Sequence, residues 1–455
     1  MIGADIGVGW ISNGNIYFQD RYAHGFQTPM IDNTTTDWFA MNGKEENGWT
    51  AIQFRRKLET CDTMDVPIRS GTTILIFAYG LTDPEENEDI EYHTASRRET
   101  KIIPLLSYAN PPEESKFYDL DTFEFRLNNY KILIDVQNRD LVHHLLMYEC
   151  DPLAIFNDEN LPEGICNDIS TKINLCSSNI ANGWAVGGDV LDILLEVIFI
   201  SNRRDSSGIR FYLGTSLRQY DLGYLTFGVK SNAFGIAIPP LMDRFVIDSY
   251  CNANATKNFP SAGITVLSAF PHTHLQGTSV WTKIIRHHHV KQYLFNAEVY
   301  SFNHQYQYRL LKQTRLYPGD EFVTRCTYTT KNKNIITLGG ERTEDEMCLH
   351  MFTYYPRMKD IYKCTTMVSL HSWSTMWYNK TVTDEKTDLV DFKQWLRQNI
   401  TWTTDLKEKW QTFYNQAELT LMSGVSGQLN IQTIHLPKYQ DLTPEQCNSS
   451  RVTIL

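Results

Sequence analysis

Gly263-Ile-Thr-Val-Leu-Ser-Ala-Phe-Pro-His-Thr-His274 holds the most information in the chain. Its first eight residues are rich in β-branched and aromatic side chains and bounded by glycine and proline, which reads as a strand. Side chains alternate along a strand, so His272 and His274 project from one face and can aim two imidazoles at one ion. An isolated His-x-His is more often an ordinary hydrogen-bonded pair, so this stretch needs support from elsewhere. A second histidine-bearing strand supplies it: Leu141-Val-His-His-Leu-Leu-Met-Tyr148. There His143 and His144 are adjacent and face opposite ways, unless a strand end or bulge lets them share a metal.

The remainder of the chain has the same β cadence. Asn15-Ile-Tyr-Phe18, Trp49-Thr-Ala-Ile-Gln-Phe54 and Thr73-Ile-Leu-Ile-Phe-Ala-Tyr79 are short strands separated by turn-rich segments. Aromatic residues reach 12%, led by 24 Tyr and 22 Phe, which favours β packing over helical bundles. Asn110-Pro-Pro-Glu-Glu-Ser-Lys116 marks a boundary after about residue 106, and Ile236-Ala-Ile-Pro-Pro240 separates two further β blocks. Leu389, Phe392, Trp395 and Leu396 recur at helical spacing and predict one amphipathic helix. That stripe also offers a surface for a second copy of the chain.

Length and charge narrow the function. The 455 residues are 42% hydrophobic and 21% charged, enough for several packed cores. With 53 acidic against 42 basic side chains the net charge is −11, which argues against a nucleic-acid-binding body. No apolar run approaches the roughly 20 residues that cross a bilayer. Nine Cys occur outside any CxxC motif, alongside sequons at Asn33, Asn254, Asn379, Asn399 and Asn448. Both features suit a disulfide-forming, extracellular setting. The chain opens Met-Ile-Gly-Ala-Asp-Ile-Gly-Val, without the basic start and apolar core of a secretory signal. Either the N-terminus is incomplete or the protein stays inside the cell, and the expectation here is an incomplete N-terminus.

Glu344-Asp-Glu-Met-Cys-Leu-His350 adds a third candidate ligand, Met347. Thioether sulfur is soft and suits Cu(I) far better than zinc, magnesium or calcium, so a His-His-Met set points to redox copper. A disulfide at Cys348 would fix the backbone beside it. His287-His-His289, lying between Arg286 and Lys291, is expected on an exposed turn. His24 with Met30 or Met41 offers too little for a haem site.

Taken in order, Leu141-Val-His-His-Leu-Leu-Met-Tyr-Glu-Cys150, Pro271-His-Thr-His-Leu-Gln-Gly277 and Glu346-Met-Cys-Leu349 closely resemble the copper type II, ascorbate-dependent monooxygenases. Asp205-Ser-Ser-Gly-Ile-Arg210, Tyr317-Pro-Gly-Asp320 and Tyr354-Tyr-Pro356 add to the match. Gly3-Ala-Asp-Ile6, Tyr17-Phe-Gln-Asp20 and Thr60-Cys-Asp62 resemble the DOMON domain that precedes the core in the amine-hydroxylating, dopamine β-monooxygenase-like branch. The resemblance implies a mainly β chain. Its parts are a DOMON β-sandwich (1–106, N-terminally incomplete) and two jelly-roll-like copper monooxygenase domains (115–235, partly deleted, and 236–380). A C-terminal tail with one helix follows (381–455).

It further implies that His272, His274 and Met347 hold the copper where dioxygen is used to hydroxylate a C–H bond, and that His143 and His144 supply two of three ligands to an electron-storing copper. Dioxygen, ascorbate as reductant and a small phenylethylamine-like amine complete the set, in a secreted or secretory-vesicle setting. By the same analogy Cys61 pairs with Cys447, Cys150 with Cys176, Cys251 with Cys364, and Cys326 with Cys348. Cys166 is left over. The chain departs from the family in one ligand: Glu196-Val-Ile-Phe199 places Ile198 where the third imidazole of the electron-storing copper belongs. The segment between Leu127 and Leu141 is also short by a strand, whose cysteine would be the partner of Cys166. These departures motivate a second expectation, a catalytically impaired, secreted binding protein on the same fold.

Overall fold

The computed structural model describes residues 3–84, 89–106, 129–133, 144–150, 155–157, 159–160, 179–185, 208–212, 219–376, 384–425 and 428–443. The chain is mainly β, as its sequence predicts, and separates into two compact units, with a first division after Leu106.

In the first unit β1 (Ala4–Ser12), β2 (Asn15–Ala23) and β3 (Met30–Ile31) form an antiparallel sheet. β4 (Trp38–Glu46) and β5 (Trp49–Arg56) make a hairpin, and β6 (Thr73–Ala78) pairs with β7 (Arg98–Ile103). The unit packs through aromatic rings: Trp38 lies 4.9 Å from Phe54 and 6.3 Å from Phe18, centroid to centroid. Gly7 leaves room for this, since a Cβ there would fall 2.7 Å from the Trp38 ring.

In the second unit β8 (Asn129–Leu133), β9 (His144–Glu149), β10 (Asn179–Ala185) and β11 (Gly208–Tyr212) form two antiparallel pairs, β8 with β11 and β9 with β10. The part that follows is a two-sheet sandwich. It contains β12 (Gly223–Val229), β13 (Ala237–Ile238), β14 (Phe245–Cys251), β15 (Ile264–His272), β16 (Gly277–Arg286), β17 (His289–Ala297), β18 (Tyr308–Leu316), β19 (Glu321–Tyr328), β20 (Thr337–Leu338), β21 (Cys348–Tyr355) and β22 (Lys363–Val368), of which β13 and β20 pair only with each other, outside the two sheets. A four-residue helix, α1 (Ala253–Thr256), lies between β14 and β15.

Beyond β22 come α2 (Leu370–Met376), α3 (Glu385–Gln398) and α4 (Thr404–Gln416), then β23 (Leu419–Val425) and β24 (Gln428–Ile434). One sheet has the order β18-β15-β21-β12-β22-β23-β24 and the other β14-β19-β16-β17. Their inner faces share one core, in which Phe227 and Phe322 stack at 4.5 Å across the interface. Burying such side chains contributes about 2 kcal/mol each.

The C-terminal region holds more than the single expected helix. α3 covers the stretch read as helical, with Phe392 and Leu396 fully buried; a further helix, α4, follows, and the β23–β24 hairpin extends the seven-stranded sheet. Phe392 stacks on Phe234 at 4.6 Å and meets Trp373 at 4.8 Å. The apolar stripe is therefore packed within the chain. Cys251–Cys364 and Cys326–Cys348 are joined as the family pattern implies, each linking one sheet to the other. Cys61 and Cys150 are also disulfide-bonded, while Cys166, Cys176 and Cys447 lie outside the described residues.

Candidate metal centre

β15 ends at His272, which sits opposite Leu349 of β21. The chain then turns sharply, so His274 arrives from a loop and not from continued strand alternation. Several contacts hold that turn. The fully buried Tyr300 hydroxyl donates to the Thr273 carbonyl at 2.7 Å and accepts from the Thr273 amide at 3.2 Å. Gly277 closes it, because a Cβ there would come within 1.7 Å of Thr273 Oγ1. Thr329 donates its amide to the Gln276 carbonyl at 2.8 Å. As a result the two imidazoles stand 5.3 Å apart, centroid to centroid, and nearly perpendicular at 86°.

Neighbouring groups fix the protonation of both rings. Gln305, itself buried, donates its amide nitrogen to the Phe302 carbonyl at 2.9 Å, which turns its Oε1 toward His272 Nδ1 at 2.6 Å. An acceptor at that position requires His272 to carry its proton on Nδ1. The Asp345 carbonyl, 3.1 Å from His274 Nδ1, imposes the same tautomer there. In each ring the lone pair is then on Nε2, as a metal ligand needs.

Met347 belongs to the same construction. It is half-buried and directly precedes β21; its carbonyl accepts from the Tyr328 hydroxyl at 2.7 Å, and its neighbour Cys348 is bonded to Cys326 of β19. Glu346 is fully buried, and its carboxylate accepts from the backbone amides of His274 at 2.8 Å, Gln276 at 2.6 Å and Met347 at 3.2 Å. Burial pushes its pKa up to about 7, while these amides favour the charged form. Burial likewise raises the pKa of Tyr300 and Tyr328, which stay protonated hydrogen-bond donors. Two nitrogen donors and a thioether make a donor set that fits copper, above all Cu(I).

The other candidates are more dispersed. His144 opens β9 opposite Ala185, while His143 and Ile198 lie outside the described residues. His287 and His288 form the exposed two-residue turn between β16 and β17, with positive φ of 53° and 61°. His24, Met30 and Met41 are exposed. Sequence reasoning assigned nothing to Gln305, Tyr300 or Gly277. It quoted Glu346 only as part of a motif. It also missed Asp5, Asp20 and Asp65 of the first unit, whose carboxylate oxygens lie within 4.8 Å of one another beside Arg56.

Residues 220–376 match the model of the copper type II ascorbate-dependent monooxygenase C-terminal domain, and residues 1–80 match the DOMON domain. By these matches the chain is similar to the copper type II ascorbate-dependent monooxygenases, in their dopamine β-hydroxylase-like branch. It is similar to DBH-like monooxygenase protein 1 of Mus musculus, at 29% identity covering 81% of this chain and 68% of that relative. It is also similar to dopamine beta-hydroxylase of Canis lupus familiaris, at 27% identity covering 78% and 64%. MOXD1 homolog 1 of Drosophila melanogaster matches at 24% identity over 82% and 62%. The chain thus spans about two thirds of the length of these relatives.

Proposed function

We propose that the chain binds copper through His272 Nε2, His274 Nε2 and the Met347 thioether, and hydroxylates a C–H bond of a small, phenylethylamine-like amine with dioxygen and ascorbate. The observation that supports this reading is the pair of tautomers set by Gln305 and the Asp345 carbonyl, which leaves the lone pair of each imidazole on Nε2. Bound copper would supply the one-electron chemistry that lets dioxygen react with an unactivated C–H bond. The chain's own part is positional. Gln305 and Asp345 keep the rings in one tautomer, and Tyr300 and Gly277 keep the turn from opening. The thioether favours the reduced metal, the form that ascorbate would generate. An amine substrate is inferred from the named activity of the dopamine beta-hydroxylase relative.

The test is an anaerobic copper titration of the ascorbate-reduced protein followed by X-ray absorption. Wild type is expected to show a sulfur ligand that Met347→Ala removes, together with ascorbate-dependent oxygen uptake on adding tyramine or dopamine. A protein that binds no sulfur-ligated copper would overturn the proposal. The expected setting is a secretory lumen. Exposed sequon residues Asn33, Asn254 and Asn399 and the disulfide-bonded cysteines support it, and a mass shift on endoglycosidase treatment of the secreted protein checks it.

Ile198 supports a second reading, a family member with an impaired electron-storing copper that acts as a secreted binding protein. Isoleucine has no lone pair to replace the imidazole the family resemblance expects there. Copper stoichiometry separates the two: two coppers per chain favour turnover, whereas a single sulfur-ligated copper without amine-dependent oxygen uptake favours the impaired protein.

A further inference from the structure

Two consecutive residues reach across to the dihistidine turn, each by a different group. The Asp345 carbonyl holds the His274 ring, and the Glu346 carboxylate holds the backbone of the turn together with the amide of Met347, the next residue in the chain. The turn lies about seventy residues earlier in the chain, between β15 and β16. We propose that Glu346 is a positioning residue for the metal centre, clamping the dihistidine turn and Met347 into one rigid unit so that thioether and imidazoles meet the same ion. This rests on the copper reading above.

The chemistry of a carboxylate explains the choice of residue. It only accepts hydrogen bonds, and both oxygens are engaged, Oε1 by the Gln276 amide and Oε2 by the amides of His274 and Met347. Glutamine in the same place would turn a donor toward at least one of those N–H groups. Aspartate is one methylene too short to span the turn and Met347 together. The other links do less. The Tyr328 hydroxyl and the Cys326–Cys348 disulfide steady Met347 or its neighbour from β19. Tyr300 steadies the turn and does not touch Met347.

A role in packing alone predicts lower stability with an unchanged ligand set. A positioning role predicts a changed ligand set in a folded protein. Wild type, Glu346→Gln and Glu346→Asp are loaded with Cu(I) under anaerobic conditions and examined by X-ray absorption. Hydrogen exchange of the metal-free proteins follows the segment 272–277. Wild type should show slow exchange there and a sulfur contribution at the metal. Glu346→Gln should keep both imidazoles, lose at least half of the sulfur contribution, bind Cu(I) about tenfold more weakly, and exchange faster at 272–277; Glu346→Asp should fall between. A folded Glu346→Gln with a full sulfur contribution and wild-type affinity overturns the inference while leaving the copper reading intact. A wild type without sulfur-ligated copper overturns both. Even if neither variant folds, wild-type amides at His274 and Gln276 that exchange as fast as exposed ones show that no clamp exists.

Discussion

His350 lies three residues beyond Met347, fully buried, with Nδ1 2.8 Å from the Thr282 hydroxyl and Nε2 without a partner. Burial pushes its pKa down to about 3, so the ring stays neutral in the folded protein. Above pH 6.5 it is neutral folded or unfolded and contributes nothing to the pH dependence. Below 6.5 the unfolded chain takes up a proton that the folded one refuses, so stability falls until the pH reaches about 3. His350→Phe, packed between Phe295 and Phe352, should lessen the loss of thermal midpoint between pH 7 and pH 4 relative to wild type. An unchanged acid limb would count against this.

Asp65 behaves in the opposite sense. Burial, and then the nearby Asp5 and Asp20 charges, push its pKa up to about 7 against the pull of Thr60 and Arg56. The folded protein thus holds a proton that the unfolded chain releases from about pH 4 upward, and the first unit loses stability as pH rises from there to 7. Asp65→Asn should flatten that decline, read as the unfolding midpoint of the first unit at pH 5 and pH 8. None of this was visible in the sequence, where the three acids are separated by fifteen and forty-five residues and only the folding of β1 and β2 brings two of them together.

Among the elements, legibility was uneven. β15 was legible from its β-branched and aromatic residues between Gly263 and Pro271, whereas β21, with a mixed burial pattern, entered the reading only through the motifs at its two ends. β22 and β23 are buried almost continuously and show no alternation to read. The helices have a different difficulty. Trp373, Trp410 and Tyr414 look like generic core residues, yet their polar ends are spoken for: Trp373 Nε1 donates to the Phe234 carbonyl at 2.9 Å, Trp410 Nε1 to the Ala237 carbonyl at 2.8 Å, and the Tyr414 hydroxyl accepts from the Ala237 amide at 2.8 Å. This fastens α4 to the strand segment leading into β14. Tyr414→Phe keeps the ring and removes that acceptor, so urea denaturation should show a loss of about 1–2 kcal/mol. A neutral result would mean that packing alone holds the helix. The metal centre was legible in part for a similar reason. Ligand identity is written in the motifs, but the tautomers depend on Gln305, thirty-three residues away from His272, and on a carbonyl that any residue would offer.

At the scale of the sandwich as a whole, the two disulfides separate stability from function. Cys251–Cys364 closes a loop of 113 residues and joins β14 to β22 within the shared core; Cys326–Cys348 closes only 22 and joins β19 to the start of β21. On chain-entropy grounds the longer loop stabilises by nearly 5 kcal/mol and the shorter by about 3. Distance from the candidate metal centre runs the other way. Cys348 is bonded to Met347 through the backbone, whereas Cys364 sits on β22, opposite Phe227 of β12 and Ser423 of β23. Removing Cys251 and Cys364 together, each changed to Ala, should therefore lower the denaturation midpoint more and leave the copper ligand set alone. Removing Cys326 and Cys348 in the same way should cost less stability and weaken the sulfur contribution at Cu(I). If the larger stability loss and the ligand change fell on the same pair, the site would be held by the overall tightness of the sandwich and not by the local anchoring of Met347.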